Sequence, residues 1–356
     1  MYQPFSDINV IELAGVLAGP SAGLFFSELG ARVIKIENPK TDGDVTRSWK
    51  LYTENPNDKE SAYYWSINAG KEVQFLDLTV EQDLQQFYNL IKTADVVISN
   101  YKCGDDIKLK VDFNTLKSIK PDLIYASING FGKTNSRTAY DLILQAESGF
   151  MFMNGEKNAA PLKMPVALID ILAGHQLKEA ILIALLKKYK TQEGSNISVP
   201  LFDTAVASLA NQATNWLVAH HLPISQGSQH PNIAPYGEIF TSKDGHQFTL
   251  AIGNNKQFKA LCDILGLQLY ALSNYQDNQQ RVSHRENLFI ELENVIKHLN
   301  FENLFKECLK KDIPIGKIRN LKEVFQLPEA QELINTFTFG DKTIHTVKST
   351  SFVFEN

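Results

Sequence analysis

Short β-rich runs alternate with helical stretches through the first two hundred residues of the chain. A strand can return parallel to its predecessor only through a crossover, so this alternation points to a parallel sheet covered by helices. The candidate strands are Asn9 to Leu13, Arg32 to Ile36, Val73 to Leu78, Val96 to Ser99, Leu123 to Ile128 and Asn196 to Val199, with helices such as Ser21 to Leu29 and Thr79 to Thr93 between them. The expected fold class is α/β, a doubly wound and mostly parallel sheet, whose ligands bind beyond the carboxyl ends of the strands.

Apolar helical periodicity then runs from Ile171 to Tyr189 and from Phe202 to Ala219, with Trp216 and Leu217 on the apolar side of the second helix. His221 to Pro235 collects Pro, Gly, Ser, Gln and His and reads as a crossing linker. Beyond it, β-like runs within Gly237 to Gly253 flank the turn Lys243-Asp244-Gly245, a hairpin that opens a second, smaller α+β domain. Helices follow at Lys256 to Leu265 and Ser283 to Leu299, and β character returns from Thr343 to Phe354, a segment that can rejoin the large domain.

With 356 residues, 44% of them hydrophobic, the chain can fill one large core or two smaller ones. Cys103, Cys262 and Cys308 are odd in number and in no metal-binding spacing, as in a reduced cytoplasmic protein. No signal-like start and no membrane-length apolar run is visible, so neither export nor a membrane partner is expected. A net charge of -5 argues against nucleic acid, while leaving room for a local polyphosphate site.

Three segments could carry chemistry. Gly15, Gly19 and Gly23 lie in a turn between a strand and a helix, where backbone N–H groups can meet an anion, yet their spacing of four matches no nucleotide fingerprint. Glu37 closes the second strand where a dinucleotide fold would hold a ribose, so a nicotinamide reading and plain helix–sheet packing both stay open. Asp170 lies at the start of the long helix as an N-cap candidate, and a helix N-terminus keeps a carboxylate ionised and able to act as a nucleophile. Gly253, Asn254 and Asn255 form a polar strand-to-helix turn, ordinary by itself. The adjacent His220 and His221 diverge on a helix, and no metal site is expected.

A series of segments stands in order along the chain: Val16-Leu-Ala-Gly-Pro20, Leu29-Gly-Ala-Arg-Val-Ile-Lys-Ile-Glu37, Gly43-Asp44 with Thr46-Arg47, Ser66-Ile-Asn-Ala-Gly-Lys71 and Ala94-Asp-Val-Val-Ile-Ser-Asn-Tyr-Lys102. Further on come Leu123-Ile-Tyr-Ala-Ser-Ile-Asn-Gly-Phe-Gly132, Tyr140-Asp-Leu-Ile-Leu-Gln-Ala-Glu-Ser-Gly149, Pro165-Val-Ala-Leu-Ile-Asp-Ile-Leu-Ala-Gly174, His230-Pro-Asn-Ile-Ala-Pro-Tyr236 and Ile313-Pro-Ile-Gly-Lys-Ile318. Read together and in order, these segments resemble the family III CoA-transferases (the CaiB/BaiF family).

The resemblance implies an enzyme that moves CoA from an acyl-CoA onto a small or medium carboxylic acid, with Asp170 forming an aspartyl-acyl anhydride. It implies a CoA thioester as substrate, no permanently bound cofactor, and a homodimer of interlocked subunits. The domains it implies are a large CoA-binding α/β domain over 1–200, a linker helix and crossing segment over 201–230, a small domain over 231–325, and a return to the large domain over 326–356. CoA-binding positions carried over are Val16, Ala18, Asn38, Ile67, Lys71, Asn100, Tyr101, Lys108, Leu109 and Tyr140, with Asn38 standing where an arginine is common. Lys71 and Lys108 suit phosphates by charge, and Gly253, Asn254 and Asn255 correspond to a lid or oxyanion loop.

The same family includes α-methylacyl-CoA racemases, which need a second base. The racemase histidine is Tyr140 here and the racemase glutamate is Asn255, and a phenol of pKa about 10 is a poor base at neutral pH, so transfer is favoured. A non-catalytic CoA-binding homologue, which would need no Asp170, is the other alternative. Leu17 replaces the glutamine of formyl-CoA transferases, which argues against formyl-CoA with oxalate as the substrate pair.

Overall fold

The computed structural model describes residues 3–353 and 355. They form two units, one of residues 1–151, 163–213 and 331–356, the other of residues 152–162 and 214–330.

The first unit is built on six strands: β1 (Asn9–Glu12), β2 (Arg32–Glu37), β3 (Glu72–Phe75), β4 (Val96–Ser99), β5 (Ile124–Asn129) and β6 (Ser195–Pro200). They are parallel and ordered β3-β2-β1-β4-β5-β6. The helices that matter for the site are α1 (Ala18–Glu28), α2 (Ala62–Asn68), α3 (Glu81–Ile91), α4 (Phe113–Ile119), α5 (Asp141–Glu147), α6 (Leu168–Thr191) and α7 (Leu201–Ala207).

Both faces of the sheet are covered, so its strands read as nearly continuous apolar runs. On one face Val10, Val96 and Ala126 pack with Phe26 of α1, Leu177 and Ile181 of α6, and Ala205 of α7. On the other, Ile11, Val97 and Tyr125 meet Phe87 and Ile91 of α3 and Leu116 of α4. Each such Val, Leu, Ile or Phe side chain stabilises the fold by about 1.5–3 kcal/mol. Two glycines let the helices come this close. A Cβ on Gly23 would lie 1.9 Å from a Glu12 carboxylate oxygen, and one on Gly174 would lie 2.0 Å from Ser21 Oγ.

The helix expected from Phe202 to Ala219 is broken. The chain ends α7 at Ala207, where Ser208 Oγ donates back to Thr204 O at 2.8 Å, passes Ala210 at φ 48°, and resumes as α8 (Ala210–Leu217). Trp216 and Leu217 are 50% and 70% exposed rather than packed.

In the second unit β7 (Tyr236–Thr241) and β8 (Gln247–Ala251) form the expected hairpin, with Phe240 opposite Phe248. Gly245 N donates to Ser242 O in its turn. Helices α9 (Asn255–Leu265), α10 (Arg285–Ile296) and α11 (Phe301–Lys310) pack over it, and β9 (Ile315–Lys317) adds to β8. Phe240, Phe258, Leu292 and Phe301 share this core.

The first unit is completed by the antiparallel pair β10 (Ile334–Phe339) and β11 (Lys342–Val347). The β segment expected from Thr343 ends as a strand at Val347, and Phe354 lies outside the described residues. No helix among the described residues is long and apolar enough to cross a membrane.

Candidate active site

The strand order reverses between β1 and β4, and the loops leaving their carboxyl ends diverge there to leave a crevice. Asn100, just past β4, holds the backbone of Gly15, just past β1, from both sides. Its Oδ1 accepts from Gly15 N at 3.1 Å and its Nδ2 donates to Gly15 O at 2.8 Å. The next residue, Val16, has φ 69°, a left-handed conformation that costs a β-branched residue about 1–3 kcal/mol.

A buried chain of charges holds that conformation. Val16 N donates to the Asp44 carboxylate at 3.2 and 3.4 Å. Asp44 pairs with Lys35 at 3.0 Å, and Lys35 also binds Ala14 O at 2.6 Å and Glu12 at 3.1 Å. Glu12 in turn pairs with Lys71 at 2.8 Å. Burial works against the charge of both Lys35 and Asp44. Even so, the carboxylates beside Lys35 hold it above its ordinary value, and Lys35 with Thr46 holds Asp44 below its own. Two acids and two lysines compensate one another, as buried charges must.

Asp170 is not the N-cap that its sequence position implies. Helix α6 begins earlier, with Ala167 as its N-cap, so Asp170 is the third helical residue. The capping acceptor comes from another element. Asp141 Oδ1 accepts from Ile169 N at 2.7 Å and Asp170 N at 3.4 Å, and Gln145 Nε2 holds the second oxygen at 2.5 Å.

Asp170 is 7% exposed, and among the described residues nothing donates a hydrogen bond to its carboxyl group. Burial, and then the negative charge of Asp141, push it up to about 7. The helix N-terminus therefore does not keep it fully ionised, because desolvation outweighs the dipole.

Two cavities meet at Asp170. One, of about 200 Å³, runs from the Gly15–Ala18 turn past Asn100 and Tyr101 to Arg137 and Tyr140. It brings together Val16, Ala18, Asn100, Tyr101, Tyr140 and Asp170, residues scattered over 155 positions of sequence, and adds the cations Lys102 and Arg137. Lys102 Nζ donates to Thr138 Oγ1 at 2.8 Å, while Arg137 pairs with Glu147 and lies 4.5 Å from the ring of Phe131. Burial pushes the Tyr101 hydroxyl up to about 12.

The other cavity, of about 510 Å³, shares Val16, Leu17, Tyr140 and Asp170 and is walled by Trp49, Tyr63 and Lys163. Tyr63 is pushed up to about 12 by burial, and then by the charges of Asp170, Asp141 and Asp44.

The remaining expected residues line neither cavity. Asn38 accepts from Lys40 N at 2.9 Å at the start of a short turn, Ile67 is buried in α2, and Leu109 packs beneath the sheet. Lys108 is exposed and pairs with Asp105 at 2.8 Å. Lys71 does not present its ammonium to solvent. It is buried on Glu12, Pro20 O at 2.8 Å and Asn68 Oδ1 at 3.2 Å, and burial pushes it down to about 8.

In the second unit, Gly253 N donates to Gln257 Oε1, Asn254 caps α9 through Gln257 N, and Asn255 Oδ1 accepts from buried Arg281, each at 2.9 Å. Glu37 is consumed by Arg47 at 2.7 Å and the Tyr64 hydroxyl at 2.8 Å, which removes the ribose acid of the nicotinamide reading. Among the described residues no group of three or more His, Cys, Asp or Glu could hold a metal ion.

Asp44, Asp141, Tyr63, Lys102, Arg137 and Lys163 join the site without having been singled out from sequence. Asp44, Lys102 and Asp141 lie inside recognisable motifs, while the other three carry no local signal.

Residues 5–356 match the model of CoA-transferase family III. The chain is 39% identical to the succinate–glutarate CoA-transferase of Agrobacterium fabrum, over 92% of this chain and 83% of that one. It is 33% identical to the succinyl-CoA:glutarate CoA-transferase of Homo sapiens, over 92% and 74% respectively. A crystal structure of a CaiB/BaiF family protein from Brucella suis superimposes with a TM-score of 0.85 at 35% identity, covering 100% of this chain and 94% of that one. A cleft at the sheet's switch point, a buried carboxylate at its floor and a family match over nearly the whole length agree: the chain belongs to CoA-transferase family III and is an enzyme of that family.

Proposed function

We propose that the enzyme transfers CoA from an acyl-CoA to a free carboxylic acid through a mixed anhydride on Asp170. The observation that carries this reading is that Asp170 is the one carboxylate, among the described residues, bordering both cavities. Its pKa of about 7 leaves a large ionised fraction at neutral pH, held without hydrogen bonds that would blunt it as a nucleophile.

An Asp170 oxygen attacks the thioester carbonyl carbon, the C–S bond breaks, and CoA leaves as thiolate. The acceptor carboxylate attacks the Asp170 carbonyl carbon of the anhydride and releases the donor acid. The thiolate then attacks the acyl carbon of the new anhydride, which forms the product thioester and returns Asp170 as a carboxylate. Thioester energy is kept only if water is excluded. The N–H groups of the first turn of α1 have no intrahelical acceptors and suit a developing oxyanion.

In this reading Val16, Ala18, Asn100, Tyr101 and Tyr140 border the pantetheine and thioester, and Lys102 and Arg137 meet phosphates in place of Lys71. Lys108 remains exposed for a phosphate, whereas Asn38, Ile67 and Leu109 act by shaping the fold. Gly253, Asn254 and Asn255 serve as the lid. The substrate is a CoA thioester with no resident cofactor, in the cytoplasm. Because the named relatives act on succinate and glutarate, succinyl-CoA with glutarate is the first pair to assay. The functional species is an interlocked homodimer, a reading supported by exposed Ile183, Leu186 and Tyr189 on α6.

The test measures turnover of succinyl-CoA with glutarate in Asp170→Asn and Asp170→Ala, alongside CoA affinity by calorimetry. A loss of about a thousandfold or more with affinity within twofold supports the proposal. Substantial turnover in either variant sinks it.

A further inference from the structure

The cavity on the Trp49 and Tyr63 side of Asp170 has a charge pattern that bears on which acids it accepts. Its acidic residues, Asp141 and Asp170, lie at one place, where Asp141 receives the N–H groups of Ile169 and Asp170 itself. Much of the remaining wall is apolar, from Leu17, Leu142, Pro165, Val166 and Ile171. Among the described residues lining it, Lys163 is the one cation.

Among the described residues Lys163 has no ion-pair partner, and its exposed ammonium makes one long contact, 3.4 Å, to the carbonyl of its neighbour Met164. Lys35, Lys71 and Lys188 of this unit are committed instead, Lys35 and Lys71 to buried acids and Lys188 to Asp95 and Asp122 at 2.9 Å each. The segment that carries Lys163 is held in place, because Met164 N donates to Gln145 Oε1 at 2.8 Å and Gln145 also holds Asp141. One hydrogen-bonded connection thus joins the Asp170 helix cap to the backbone beside the free ammonium.

We infer that Lys163 binds the remote carboxylate of a dicarboxylic acyl group, making this cavity selective for short dicarboxylates over monocarboxylates of the same length. This rests on the reading of Asp170 as the acyl-accepting residue. With one carboxyl carbon at Asp170, the methylenes lie along the apolar wall, and Lys163 is the one cation among the described lining residues that can meet the far carboxylate. A monocarboxylate of equal length has no group for Lys163 and gains nothing from it. Asp141 and Asp170 also disfavour a second anion near the reacting end, so the cation fixes the orientation of the acid as well as its affinity.

The experiment compares glutarate with pentanoate, both with succinyl-CoA as donor, in the wild type, Lys163→Met and Lys163→Arg. Lys163→Met is expected to lower kcat/KM for glutarate about tenfold, chiefly through KM, and to leave pentanoate within twofold, with Lys163→Arg restoring most of the glutarate activity. Equal losses for both acids, or no loss for glutarate, would overturn the inference. Absence of turnover with any acid in the wild type would count against the Asp170 reading instead. Calorimetry of glutarate into the CoA-bound protein then decides the cavity: binding weakened in Lys163→Met supports it, and equal binding overturns it.

Discussion

Asp141 Oδ1 accepts a hydrogen bond from the backbone N–H of Asp170 at 3.4 Å, so the residue that caps the helix of Asp170 also sets an anion beside the proposed nucleophile. Burial comes first and the Asp141 charge second in raising Asp170 to about 7. A carboxylate raised this far is a stronger nucleophile when ionised, at the cost of being partly protonated near neutrality.

The pH profile follows from this pair. In the proposed mechanism Asp170 attacks as the carboxylate, so kcat/KM should fall on the acid side with a limb near pH 7 and level off above it. Asp141→Asn keeps an oxygen to accept from Ile169 and Asp170 but removes the charge, and should move the limb to lower pH. The limb should stop above the ordinary carboxylate range, because burial is the larger cause. An unmoved limb in Asp141→Asn would show that this charge does not tune the group.

Stability should respond in the opposite sense to a salt-bridged acid. The folded value of about 7 lies above the ordinary 3.8, so between those values the folded chain holds a proton that the unfolded chain releases. The stability of the native state therefore falls as pH rises from about 4 through 7. Asp170→Asn escapes that loss. Its unfolding free energy, measured by denaturant titration, should exceed that of the wild type at pH 8 by a margin of the order of a few kcal/mol that shrinks toward pH 4.

Lys71 should behave as a structural residue. Lys71→Met leaves Glu12 without one of its two lysines inside the fold, and removing one member of a buried pair costs about 3–5 kcal/mol. Urea unfolding should register that loss, while CoA titration of the folded fraction should give affinity within twofold. A large loss of CoA affinity with unchanged stability would return Lys71 to the phosphate site.

How far the sequence spoke depended on whether the information was local. The six strands stand within a few residues of their expected positions, because apolar β-branched runs such as Val96 to Ser99 and Arg32 to Glu37 must be buried on both faces. The hairpin at Lys243-Asp244-Gly245 was legible for the same reason, whereas β9 is three residues long and exists only by pairing with β8.

At the site, Asp170 was visible as a helix-start acid, but its cap is supplied by Asp141, 29 positions earlier, and no local pattern reveals that. Lys71 looked like a phosphate cation because its charge is local information and its partner Glu12, 59 positions away, is not. Lys102, Arg137 and Lys163 are ordinary cations in sequence, and only the folded cavities distinguish them.

The central claim is that the acyl group resides on Asp170 during turnover. Wild-type enzyme mixed with succinyl-CoA and quenched with hydroxylamine, then digested and analysed by mass spectrometry, reads this out at one residue. The account predicts a hydroxamate on Asp170, absent without succinyl-CoA and absent in Asp170→Asn; an unmodified Asp170 peptide from enzyme that is turning over would contradict it.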